Sequence, residues 1–106
     1  MKILFVCNQN QNRSKTAEFL FRNKFDTKSA GLYNEKPVTE NELVWADIII
    51  VMEDDQRIEL SKKFPREYMK KRILSLKIPD YYKFNDPKLI KILEEKMDNF
   101  LISSIL

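Results

Sequence analysis

The stretch Ile3-Leu4-Phe5-Val6-Cys7-Asn8-Gln9-Asn10-Gln11-Asn12-Arg13-Ser14, continued by Lys15-Thr16-Ala17-Glu18-Phe19-Leu20, decides how this chain is read. Ile3 to Val6 are apolar without interruption, the pattern of a strand buried on both faces. Asn8 to Asn12 are all side-chain amides, a polar loop, and Ser14 opens a helix that sets Ala17, Leu20, Phe21 and Phe25 on one stripe. A loop wrapped on itself between a strand and a helix aims backbone N–H groups and the helix N-terminus at one point, where a tetrahedral dianion is held. Cys7 sets a nucleophilic sulfur at one end of that loop, and Arg13 sets a two-pronged cation at the other.

A Cys and an Arg with five residues between them arise by chance in many chains, so the weight lies in their placement. The bland alternative for Cys7 is a small buried hydrophobe at a strand end. For Arg13 it is a surface charge, yet a cation at a helix start opposes the helix dipole, and a bound anion supplies the missing reason.

The remaining composition narrows the chemistry. A chain of 106 residues, 43% hydrophobic and 33% charged, is one globular domain spanning residues 1–106. The apolar run after Met1-Lys2 is five residues long, too short for a signal peptide or a membrane span, so a cytoplasmic protein with no membrane partner is expected. A net charge of +3 is mild. The basic cluster Lys62-Lys63, Arg66 and Lys70-Lys71-Arg72 reads as a solvated face, and no nucleic-acid partner is expected. One cysteine excludes an intramolecular disulfide. The absence of histidine excludes Ser-His-Asp and Cys-His catalysis and His-ligated metal sites, so the chemistry falls to Cys, Asp, Glu, Arg, Lys and Tyr, and the expected reading needs no metal and no cofactor.

The elements alternate along the chain. Thr27 to Ala30 form a short second strand closed by Gly31, the only glycine. Thr39-Glu40-Asn41-Glu42 is a capping box after Pro37, opening a helix that carries Leu43, Val44 and Ala46. Asp47 to Met52 is a buried strand, Asp54 to Lys63 a third helix, and Arg72 to Leu76 a fourth strand. Asp86-Pro87 caps a last helix with Leu89, Ile90, Leu93, Met97, Phe100 and Leu101 facing inward. This order predicts a single α/β domain: a four-stranded parallel sheet, helices on both faces, and a phosphate-binding loop after the first strand. Such sheets bind ligands beyond the carboxyl ends of their strands, where Cys7 stands.

Cys7, Arg13 and Ser14 in the order C-x5-R-[ST] after a first strand resemble the low-molecular-weight protein tyrosine phosphatases. The resemblance runs through nearly the whole chain: Thr16-Ala17-Glu18, Ser29-Ala30-Gly31, Ala46 to Met52, and Ile78-Pro79-Asp80-Tyr81-Tyr82. It is nearest to a compact bacterial branch of predicted phosphatases with a late I-P-D segment followed by D-P-x-L, here Asp86-Pro87-Lys88-Leu89. Asn10 to Ser14 also resemble the loop of a eukaryotic phosphatase that acts on phosphoserine in the RNA polymerase II tail.

What the resemblance implies is a cysteine-dependent phosphomonoester hydrolase, acting on a phosphorylated protein or peptide or a small aryl phosphate and inhibited by inorganic phosphate and vanadate. Cys7 would form a phosphocysteine, Arg13 would grip two phosphoryl oxygens, and Asp80 would be the general acid. Asp86 is a rival acid, although capping explains it. Asn8, Gln9, Asn10, Gln11, Asn12 and Ser14 would line the loop, with Asn10 bracing its backbone. Tyr81 and Tyr82 would wall a slot for an aromatic ester, with Tyr33 opposite.

Gln9 stands where better-known members have glycine, and Asn12 where many have a second cysteine. Any left-handed position in the loop therefore falls to Gln or Asn, of which Asn tolerates it better. Three other readings stand beside it: a cysteine phosphocarrier, which shares a cysteine after the first strand but against which Arg13 and Asp80 argue, a phosphate or phosphopeptide-binding module without turnover, and arsenate reduction with an external thiol.

Overall fold

The computed structural model describes residues 1–105, with side chains to residue 100. Its elements are β1 (Lys2–Cys7), α1 (Arg13–Phe21), β2 (Asp26–Gly31), α2 (Glu40–Trp45), β3 (Ile48–Val51), α3 (Asp54–Lys63), α4 (Pro65–Lys70), β4 (Arg72–Ser75) and α5 (Pro87–Ile105). The four strands form one sheet in the order β2-β1-β3-β4, and every pairing is parallel.

Strand alternation divides the core in two. Ile3, Phe5 and Cys7 pack with Ala17 and Phe21 of α1 and Leu89, Leu93 and Met97 of α5. Leu4 and Val6 point the other way, toward Leu43, Ala46 and Leu60 under α2 and α3. Helices therefore cover both faces, as the alternating sequence pattern predicts. The connections β1–α1–β2 and β2–α2–β3 run over opposite faces, so the chain reverses its direction of travel at β1. This switch point opens a crevice at the carboxyl ends of β1 and β3.

Local signals hold where they are strong. The Glu42 amide donates to Thr39 Oγ1 at 3.2 Å, and the Thr39 amide to Glu42 Oε1 at 2.9 Å, completing the capping box. Asp86 caps α5 by accepting the Lys88 amide at 2.9 Å. Leu89, Leu93 and Met97 are fully buried; Ile90 and Phe100 are partly so, and the Leu101 side chain lies outside the described residues. Among the described residues no helix is long and apolar enough to cross a membrane.

On α2, Leu43 is buried and Val44 more than half exposed, and the buried Ala46 ends the helix as its C-cap. Two local readings change. The short helix α4, with Pro65 at its first turn, is not anticipated: none of its residues is buried, so it carries no apolar stripe. Part of the basic cluster is structural. Lys71 Nζ donates to the Val44 and Ala46 carbonyls at 2.9 and 2.6 Å, satisfying the end of α2. Element ends elsewhere shift by a residue or two, and α1 stops at Phe21, short of Phe25, which the sequence stripe includes.

Gly31 needs its missing side chain for space. A Cβ there would stand 2.9 Å from Asn34 Cγ and 3.0 Å from the Asn8 carbonyl oxygen. That carbonyl accepts the Tyr33 amide at 2.9 Å, and the Cys7 carbonyl accepts the Leu32 amide at 3.0 Å. The end of β2 thus pins the start of the loop that leaves β1.

Candidate active site

The loop from Asn8 to Asn12 folds back over the sulfur of Cys7. Its turn is made at Asn10, whose φ of 54° is left-handed. Asn tolerates that region better than most residues. Gln9 does not adopt a positive φ, so the absence of glycine there imposes no backbone strain.

Cys7 Sγ is buried and held from two sides. The Asn10 amide donates to it at 3.2 Å, and Ser14 Oγ lies 2.8 Å away. Ser14 in turn donates to Asn10 Oδ1 at 2.7 Å. The Asn10 side chain thus meets the Ser14 hydroxyl, where the resemblance implies hydrogen bonds to the loop backbone.

Arg13 is 2% exposed although it begins α1. A buried guanidinium demands partners. Its Nη1 donates to Glu53 Oε1 at 2.5 Å and to the Ile78 carbonyl at 2.6 Å, and its Nε lies 3.7 Å from Asp80 Oδ1. One prong of the fork is therefore fixed by the protein. Asp80, whose side chain is 62% exposed, stands over the other side. Cys7, Asn8, Gln9, Gln11, Asn12, Arg13 and Asp80 line a pocket of about 50 Å³, room for a few waters or one small tetrahedral anion. Among the described residues, the amides of Gln9, Gln11 and Asn12 donate to no backbone carbonyl.

Two residues of this neighbourhood escape sequence reading. Glu53 anchors Arg13. Gln56, 1% exposed, accepts the Met52 and Glu53 amides at 2.8 and 2.9 Å and donates to Asn8 Oδ1 at 3.2 Å, tying the start of α3 to the loop. The spacing Glu53-x-x-Gln56 ahead of a helix is the signal that was available.

The tyrosines stand elsewhere. Tyr81 is 82% exposed, and Tyr82 packs partly against the α1–α5 core, with the two rings 6.4 Å apart. Tyr33 lies beneath the Lys63 ammonium, 5.1 Å from its ring centre. None of the three lines the pocket. The segment after Asp80 serves the loop in another way. The Phe84 amide donates to Asn12 Oδ1 at 3.0 Å, and the Asn85 amide to Thr16 Oγ1 at 2.9 Å. Thr16 Oγ1 itself donates to the Asn12 carbonyl at 2.6 Å. Asn12, Thr16 and the 84–85 turn form one hydrogen-bonded unit.

No family model and no curated protein sequence matches the chain. Solved structures do. The low-molecular-weight protein tyrosine phosphatase of T. tengcongensis superposes with a TM-score of 0.76 at 22% identity, over 98% of this chain and 99% of that one. SP-PTP, the corresponding enzyme of Streptococcus pyogenes, superposes with a TM-score of 0.78 at 19% identity, over 96% and 91%. The YwlE arginine phosphatase of Geobacillus stearothermophilus gives 0.67 at 21% identity, over 96% of each chain. With the sheet order, the switch point and the loop over Cys7 already in view, these superpositions establish that the chain has the fold of the low-molecular-weight protein tyrosine phosphatases.

Proposed function

We propose that this chain is a cysteine-dependent phosphomonoester hydrolase that removes phosphate from phosphotyrosine in proteins or peptides, or from small aryl phosphates. The observation that carries the reading is that Cys7, Arg13 and Asp80 line one small pocket, with Cys7 Sγ held by the Asn10 amide and Ser14 Oγ behind it.

A dianionic phosphoryl group enters with its oxygens toward Arg13 and the unpaired loop amides. The Cys7 thiolate attacks phosphorus in line, the ester P–O bond breaks, and the Asp80 carboxyl gives its proton to the departing oxygen. Water then attacks the phosphocysteine while the Asp80 carboxylate takes its proton. The S–P bond breaks, releasing phosphate and restoring the thiolate. Arg13 is most useful when the equatorial oxygens flatten and charge concentrates on them. Because Glu53 and Ile78 already orient the guanidinium, little reorganisation accompanies that step. The cytoplasm suits this chemistry, since a lone nucleophilic thiol stays reduced there.

A second reading has its own support. The pocket rim is made of amide side chains and Asp80, with no aromatic ring among its lining residues. A carboxylate among amides suits a guanidinium as well as a phenol, and one structural neighbour is an arginine phosphatase. Phosphoarginine is therefore the alternative substrate class.

Metal-free hydrolysis of an activated aryl phosphate, a phosphotyrosine peptide and a phosphoarginine peptide tests the assignment, with Cys7→Ser and vanadate as controls. Cys7-dependent, vanadate-sensitive turnover is expected, and the ratio between the two peptides names the substrate. Phosphate binding without turnover of any of the three would replace the hydrolase with a binding module.

A further inference from the structure

Beside the catalytic pocket lies an open groove of about 410 Å³ lined by Lys15, Glu18, Phe19, Arg22 and Phe84. Phe19 and Phe84 are each about half exposed and meet edge to face with ring centres 6.2 Å apart. Two aromatic rings held together at a surface form a floor that water wets poorly. The Arg22 guanidinium carbon stands 3.7 Å from the Phe19 ring centre, with Nη1 donating to the Phe19 carbonyl at 3.1 Å. Among the described residues neither Lys15 nor Arg22 makes an ion pair. The one acid of the lining, Glu18, is engaged, accepting the Ser29 hydroxyl at 2.7 Å.

The groove adjoins the site through Phe84, whose amide donates to Asn12, a lining residue of the catalytic pocket.

We propose that the groove receives the substrate polypeptide beside its phosphorylated residue, and that it selects an apolar side chain next to an acidic one. Phe19 and Phe84 take the apolar group, and Lys15 and Arg22 take the carboxylate. A second copy of this chain is the poorer occupant, since a two-fold contact would set Lys15 and Arg22 against themselves. The inference deepens the hydrolase reading and rests on it for the identity of the neighbouring pocket.

The test compares two phosphopeptides that share the phosphorylated residue, one flanked by Asp-Leu and one by Lys-Ser, with a small aryl phosphate as reference. Wild type, Arg22→Glu and Phe84→Ser are assayed for kcat/KM. Peptide Kd values are measured by calorimetry on the Cys7→Ser forms of all three. Wild type should favour the Asp-Leu peptide about tenfold in both readouts, and Arg22→Glu should remove the preference. If Phe84→Ser fails to fold, the exposed Arg22 substitution carries the test. Turnover of the aryl phosphate with equal values for the two peptides would overturn the groove and leave the hydrolase standing. A Kd preference lost in Arg22→Glu, without turnover of anything, would keep the groove and overturn the hydrolase. A dimer in sedimentation that Phe84→Ser abolishes would give the surface to a second copy and overturn the proposal.

Discussion

Glu53 Oε1 takes a hydrogen bond from Arg13 Nη1 at 2.5 Å, across 40 residues of sequence. This contact makes Glu53 a positioning residue, since it acts through the guanidinium and does not line the pocket. Glu53→Gln keeps an acceptor but removes the charge, and kcat/KM should fall roughly tenfold with little change in melting temperature. Glu53→Ala leaves a buried cation with the Ile78 carbonyl as its remaining close partner. Stability should then drop by about 2 kcal/mol, less than for a wholly buried pair because Glu53 is partly exposed. Wild-type kinetics in Glu53→Gln would show that Ile78 alone orients the fork.

Asp80 reaches over Arg13 at 3.7 Å and is solvent-accessible, as a group that exchanges protons with a leaving oxygen and with water should be. Asp80→Asn should slow esters with poor leaving groups by about a hundredfold and activated aryl phosphates far less. Equal losses across a leaving-group series would move the acid role elsewhere.

Gly31→Ala tests the close approach beneath the loop. The added methyl meets both Asn34 and the Asn8 carbonyl, and overpacking of this kind costs about 1–3 kcal/mol. Chemical denaturation should show that loss. The pressure on Asn8 should also weaken phosphate binding.

Glu40 gives a pH signature remote from the site. Its carboxyl is held above the usual glutamate range because it hydrogen-bonds with Glu67 and feels that residue's charge, with Arg66 acting in the opposite sense. A raised value in the folded state means the contribution to stability is complete below the ordinary glutamate pKa and is lost as pH rises through the folded value. Melting temperatures of wild type relative to Glu40→Gln should therefore fall as pH rises from the ordinary glutamate pKa through the raised folded value. Parallel curves would remove the shared-proton contact.

Sequence reading reaches the parts of this molecule that depend on neighbours along the chain. The β1 run, the Thr39 capping box, the Asp86 cap and the strand–loop–helix context of Cys7 and Arg13 are local signals, and the structure has each of them. That an Asn and not a Gln takes the left-handed position follows from what its side chain tolerates, while the choice of Asn10 over Asn8 and Asn12 is made by the fold. Glu53 and Gln56 are different, because nothing beside them in sequence says that one meets Arg13 and the other Asn8. The same holds for Tyr82, whose ring the sequence allows in either a wall or a core and the fold places against the core. Helix α4 is missed because it has no buried stripe to read.

The hydrogen bonds from Arg13 to Ile78, from Phe84 to Asn12 and from Asn85 to Thr16 span 65, 72 and 69 residues. Contacts this distant close only after most of the chain has left the ribosome. Cys7 and Arg13 are synthesised early, yet the Ile78 partner of Arg13 and the support of the loop arrive only when the segment between β4 and α5 has docked. A truncated product lacking the last third would carry Cys7 and Arg13 without the contacts from Ile78, Phe84 and Asn85 that hold the fork and the loop in place.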